Sequence, residues 1–295
     1  MPLPTLLLVL FSSFLHAGWN YLAKTIPGGP IFVWLLAIVM AIVLLPFSIW
    51  QICVGGFDWT AVNIGALVMT GVLHTVYFLV LQKGYQEGDL SVVYPLARGM
   101  GPVFSGVGAF LFLHETFGFQ DVLGLLLVGA GALLIGGFSF RRLFGGDMDV
   151  KRDARLVKGI YYGILTGFLI SCYTIFDGYC VTKLKLAPIL IEYTAHPIRF
   201  AILLPLAIKN RPEALYIWRG NWVKILIISI VSPFAFILVL YAMKSAPVHA
   251  VAPVREFSIV IGVLLGARFL AEENMRVRLI GSVFILCGIG LLALN

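Results

Sequence analysis

Arg98 and Arg255 each fall about a third of the way into an apolar stretch of about twenty residues, four residues beyond Tyr94 and Val251. A guanidinium keeps its charge in any protein environment and offers a fork of donors to carboxylate, phosphate or phosphonate groups. A charged side chain inside hydrocarbon costs about 3 kcal/mol or more unless it is paired or hydrated, so each arginine there needs a reason. One reason is an anionic substrate. The other is structural: a clamp on carbonyls freed near Pro95 and Pro253, or a pair with Glu256 or Glu192.

Further polar residues recur at helical spacing. His16, Asn20 and Lys24 stand four apart, which places them on one helix face, with Trp19 beside them to stack on a ring or cation. His74 and Tyr77 form a similar pair, and Tyr173 and Asp177 another. Glu192, His196 and Arg199 share a third face, where Pro197 should kink the helix and free a carbonyl. A lone histidine in such a place is often only a helix-to-helix hydrogen bond, and Glu192 could simply neutralise its neighbours. Asp177, Glu192 and His196 are the candidates for proton exchange. Glu115 and Glu272 end their apolar stretches and should cap the helix that follows each, while His114, Asp58 and Asp121 read as loop residues.

The elements that position these residues are membrane helices. The chain of 295 residues is 60% hydrophobic and only 12% charged, and its mean hydropathy is +1.00. Apolar runs of about 20 residues recur throughout, each long enough to cross about 30 Å of hydrocarbon, and none shows the alternation of a barrel strand. Breakers place helices at 3–24, 31–52, 61–82, 90–113, 120–138, 158–181, 188–208, 222–243, 248–270 and 277–294. The expected fold class is an all-α membrane protein of ten transmembrane helices. The +7 net charge resides in short loops, with no aromatic-interleaved stripe, so nucleic acid is not an expected partner. Cys53, Cys172, Cys180 and Cys287 lack metal or disulfide spacing and read as small core residues. The leading apolar run has no basic residue before it and continues past Trp19, so it reads as the first helix.

The ten helices fall into two sets of five. A shift of 157 residues lays Arg98 on Arg255, Glu115 on Glu272, Gly124 on Gly281 and Gly131 on Gly288. Near the start of each half, a shift of 154 lays Phe14 and Leu15 on Phe168 and Leu169, and Trp19 on Tyr173. An odd number of helices per half forces the halves into opposite orientations, an inverted repeat frequent in secondary transporters. Residues 1–140 form the first repeat, 141–158 a basic connecting loop and 159–295 the second repeat. Fourteen loop lysines and arginines lie on the side of that basic loop, against three (Lys183, Lys185, Lys244) on the side of the termini. The positive-inside rule therefore puts both termini outside the cytoplasm.

The segments HAGWNYLAK (His16 to Lys24) and DLSVVYPLARG (Asp89 to Gly99), with Glu115 followed by Gly124 and Glu272 followed by Gly281, resemble the EamA-type members of the drug/metabolite transporter superfamily. The likeness spans nearly the whole chain. It implies a ten-helix secondary carrier with its site between the halves, and says little about substrate. Many members of that family keep both termini in the cytoplasm, whereas the charge bias here points the other way.

The resulting expectation is a multi-pass carrier, of the bacterial inner-membrane kind, for a small anionic or zwitterionic metabolite, amino-acid-like or phosphonate-like. Arg98 and Arg255 would hold the anion. His16, Trp19, Asn20, His74, Tyr77, Tyr94 and Tyr173 would complete a pocket lined by helices 1, 3, 4, 6, 8 and 9. No Walker, dinucleotide or metal-ligand motif occurs, so no cofactor or metal is expected. The partners are a small molecule and the bilayer, with the chain monomeric or homodimeric. Two other classes remain open: an exporter of lipophilic cations, which needs an unpaired buried carboxylate, and a membrane-embedded lipid-modifying enzyme, which needs a catalytic cluster near the headgroups.

Overall fold

A computed structural model describes residues 1–27, 29–88, 90–135, 150–261 and 275–294. Among these residues the chain is helical: α1 (Leu3–Lys24), α2 (Gly29–Gly55), α3 (Ala61–Glu87), α4 (Leu90–Leu113), α5 (Phe119–Ile135), α6 (Val150–Thr182), α7 (Pro188–Lys209), α8 (Arg211–Ala242), α9 (Val248–Val254) and α10 (Met275–Leu294). Seven are long and apolar enough to cross a membrane, and α5 and α10 are shorter apolar helices. Large apolar side chains such as Phe47, Trp50, Phe112 and Phe119 point outward, as expected where the solvent is hydrocarbon.

The main contacts between the halves come in pairs related by exchange of the halves. α1 packs on α8 as α6 packs on α3, and α2 packs on α8 as α7 packs on α3. α2 meets its own counterpart α7, α4 meets α9, and α5 meets α10. The α5–α10 seam shows the two-fold in detail. A Cβ on Gly288 would stand 2.6 Å from the Gly124 carbonyl, and one on Gly281 would stand 2.7 Å from that of Gly131. Shifting 124 to 281 and 131 to 288 turns the first contact into the second, so the helices cross antiparallel with only hydrogens between their backbones.

Four expectations change. α8 starts at Arg211, not at 222, so Arg211 and Arg219 belong to a helix and not a loop. Pro212 in the first turn, with Glu213 beside it, favours that start. At 1.5 Å per residue its 32 residues reach about 48 Å, so one end must leave the hydrocarbon. α6 likewise begins at Val150, so the later part of the basic segment is helical, and Lys158 bonds Glu87 across 2.6 Å. The first residues of that segment, 141–149, lie outside the described residues.

The ninth helix stops at Val254, not at 270. Pro253 disturbs it, and Glu256, Ser258 and Ile259 then donate to carbonyls three residues back, a tighter turn than α-helix. Helical backbone resumes over 257–261, and residues 262–274, Glu272 among them, lie outside the described residues. Of the four cysteines, Cys180 is buried, but Cys53 and Cys287 are exposed on the bundle surface and are not core residues.

Candidate functional site

A cavity of about 500 Å³ opens between the halves. Its floor is at mid-depth, at Ser12, Arg98, Tyr173, Phe236 and Arg255. From there it runs to the face where α1 ends and α2 begins, past Ala23, Ile26 and Gly29, with Gln82 and Tyr85 of α3 on the same side. Among the described residues, the lining nearest the opposite end, where α4 stops and α9 starts, is Glu192 in the second turn of α7 and Val239 in the last turn of α8, and no residue of the connecting loops there reaches it. Among these residues the cavity opens toward one side.

Nearly every residue singled out by spacing reaches this wall: His16, Trp19, Asn20, His74, Tyr77, Arg98, Tyr173, Glu192, His196 and Arg255. The side chain of Tyr94 lies outside the described residues. The wall is wider than expected, because α2 contributes Phe32 and Met40, and α7 contributes Glu192, His196 and Arg199. On α1, the helical spacing produces direct contacts. Trp19 Nε1 donates to His16 Nδ1 at 3.2 Å, and Asn20 Nδ2 donates to the His16 carbonyl at 2.7 Å.

Asp177 stands behind the wall and is fully buried. His74 Nε2 is 2.8 Å from its Oδ2, and the Thr70 hydroxyl donates to Oδ1. The pair joins α3 of the first half to α6 of the second. Tyr173 lies over His74 with ring centroids 4.2 Å apart, and Phe236 meets His74 edge-on at 5.3 Å. Glu192 and His196 form the intrahelical pair expected from their spacing, at 3.1 Å. Arg199 stands 5.8 Å from the Phe78 ring centroid, a cation–π distance.

Arg98 takes the structural option: its Nη2 is 3.1 Å from Glu256 Oε2 and donates to Ser258 Oγ at 3.2 Å. Arg255 is 6% exposed, lines the cavity, and its Nε has no hydrogen-bond partner among the described residues. The Nε of Arg199 is in the same position. Among the described residues, the charged lining is three arginines (Arg98, Arg199, Arg255) and one carboxylate (Glu192), with Arg98 held from behind by Glu256. Aromatic faces lie alongside.

One cluster has no counterpart in the expectations. Glu115 does not cap the helix that follows it; it reaches the second half. Its Oε1 accepts from Val248 N at 2.7 Å, and its Oε2 accepts from His249 N at 3.1 Å and lies 2.6 Å from His249 Nδ1. Asp121, expected as a plain loop residue, is 2% exposed, accepts from Gly118 N at 2.8 Å and stands 3.8 Å from His249 Nε2. Phe117 closes the group edge-on to His249. Burial raises the Glu115 carboxyl, but the hydrogen bonds from His249 and Val248 outweigh it and leave the group below the ordinary carboxylate value. The cluster pins α9 to the end of α4 at the closed end of the cavity. His249 lies in the first turn of α9, two residues after Pro247, with only Ala252 and Pro253 three and four residues on, and that is why pattern reading passes over it.

No curated protein compared with the chain matches it. Among solved structures, "Crystal structure of protein" superposes with a TM-score of 0.73 at 14% identity, covering 100% of this chain and 98% of that one, a likeness of fold. The EamA-like transporter family matches residues 3–137 and again residues 157–294, one match per half, and with both halves accounted for, the chain belongs to that family of membrane transporters.

Proposed function

We propose that the cavity carries a small anionic or zwitterionic metabolite, amino-acid-like or phosphonate-like, across the membrane by alternating access. The observation behind this reading is the lining charge, three arginines against one carboxylate, with Arg255 buried and its Nε unsatisfied among the described residues. Arg98 and Arg255 hold the anionic group from symmetry-related positions. Trp19, Tyr77 and Tyr173 supply faces for the rest of the cargo. The Asp177–His74 and Glu192–His196 pairs are titratable groups at or behind the wall. A lipophilic-cation carrier needs an unpaired buried carboxylate, whereas these two carboxylates each have a histidine partner.

Applied to the helices, the positive-inside rule puts the termini outside and turns the open mouth toward the cytoplasm. Rocking of the halves then closes that mouth and parts α4 from α9 at the other end.

A thermal-shift panel of amino acids, phosphonates and organic cations tests the reading, because a ligand that binds only the folded state raises the melting temperature. Anions or zwitterions should stabilise the protein. Arg98→Ala and Arg255→Ala should each weaken that binding by about 30-fold or more, roughly 2 kcal/mol. Stabilisation by cations alone, or unchanged binding in both variants, refutes it.

A further inference from the structure

Arg98 already holds a carboxylate. Glu256 follows Arg255 in the turn that ends α9, is 2% exposed, and places Oε2 3.1 Å from Arg98 Nη2. Arg98 and Arg255 line the cavity, whereas Glu256 does not. Cargo therefore meets Arg98 from the cavity side while Glu256 holds it from behind. The contact is ionic without hydrogen-bond alignment, since Oε2 accepts no hydrogen bond among the described residues. An incoming anion competes for the same guanidinium against a partner that is close but poorly seated.

We propose that Glu256 is the resident competitor of the cargo anion, and that it takes up one proton when the cargo takes Arg98. The proposal rests on the anion reading of the cavity. A carboxylate so deeply buried cannot stay ionised without its counter-ion at a cost of only thermal energy; the penalty is several kcal/mol. It is relieved when a proton from the water-filled cavity forms an O–H bond on the carboxylate; no other bond is made or broken.

Among the described residues, the charged and titratable groups around Glu256 leave no substitute for Arg98. On its own segment, Arg255 is the second ligand of the cargo. From α1 comes His16, which lies close enough to feel both arginines. From α6 come Tyr173 and Asp177, the latter held by His74 and Thr70. The connection after α4 brings Glu115, and α5 brings Asp121, both at the His249 end of α9. α10 brings Arg276 at its first turn and Cys287, exposed on the bundle surface. The Asp177 and Glu192 pairs keep their partners when an anion binds. Glu256 loses its own. The proton of Glu256 is therefore the one tied to the cargo.

Titration calorimetry with benzenesulfonate, an aromatic anion with no proton to lose in this range, tests the link from about pH 6 to about pH 8. The wild-type affinity should fall about tenfold per pH unit, the slope of one proton taken up on binding. Binding heats in two buffers of different ionisation enthalpy should independently count one proton, and that measurement needs no variant. Glu256→Gln should bind with the same affinity at every pH, and about a hundredfold more tightly than wild type at the alkaline end. Wild-type binding without a pH slope overturns the proton link while leaving the anion site standing. A slope that persists in Glu256→Gln assigns the proton to another group and overturns it too. Benzenesulfonate that binds neither protein removes the anion site, and the proposal with it.

Discussion

Replacing Glu115 by alanine should show how tightly the closed end of the cavity is held. The carboxylate accepts from two backbone N–H groups at the start of α9 and from the His249 ring. Loss of a helix cap costs about 1 kcal/mol, and a buried donor left without an acceptor costs about 1–3 kcal/mol more. The sum is about 2–4 kcal/mol, or a fall in melting temperature of about 4–8 °C at roughly 2 °C per kcal/mol for a chain of this size. Thermal unfolding of the purified protein reads this directly. His249→Ala removes part of the same contact, so the double variant should fall little further than Glu115→Ala alone. Acidity supplies a second readout. The Glu115 carboxyl lies below its ordinary value in the folded protein, so its contribution is present above the unfolded carboxylate range, near pH 4.3, and is lost as pH falls through the lower folded value. A fall of less than about 1 °C in Glu115→Ala, or full additivity with His249→Ala, would refute the reasoning.

Gly281→Val should drive α5 and α10 apart, because a Cβ at that position meets the Gly131 carbonyl at 2.7 Å. Expression of folded protein should drop sharply, while Gly290→Ala, with nothing near its Cβ position, should not change it; equal yields would sink the backbone-contact account of the seam. Asp177→Asn keeps an acceptor for Thr70 but removes the ionic partner of His74, so unfolding should occur about 2–6 °C lower, from about 1–3 kcal/mol. An unchanged melting temperature would mean that the pair does not tie α3 to α6.

Much of the site was legible one helix at a time. The four-residue spacings of His16 with Asn20 and of Glu192 with His196 became direct hydrogen bonds, because helix geometry alone brings such residues together. The matched arginines reach one cavity because the repeat places them symmetrically. Contacts between helices were not legible. Nothing local pairs His74 with Asp177, 103 residues away, or Glu115 with His249, 134 away. The extents of α6 and α8 were misjudged for a related reason. Charged residues mark where hydrocarbon ends, not where the helix ends, and both helices continue into polar surroundings.

By itself, then, the sequence determined the solvent, the helical class, the doubling and the inversion. Apolar run length, the offset of 157 residues and an odd helix count per half are all properties of the chain read in one dimension. Only the tertiary structure decided which charges are spent on one another. Arg98 faces Glu256, while Arg255 at the cavity wall has no ion-pair partner among the described residues. That difference arises because Pro253 breaks α9 in the second half and turns Glu256 back onto the first. Glu256 falls opposite Gly99 when the halves are overlaid, so the repeat could not have announced it.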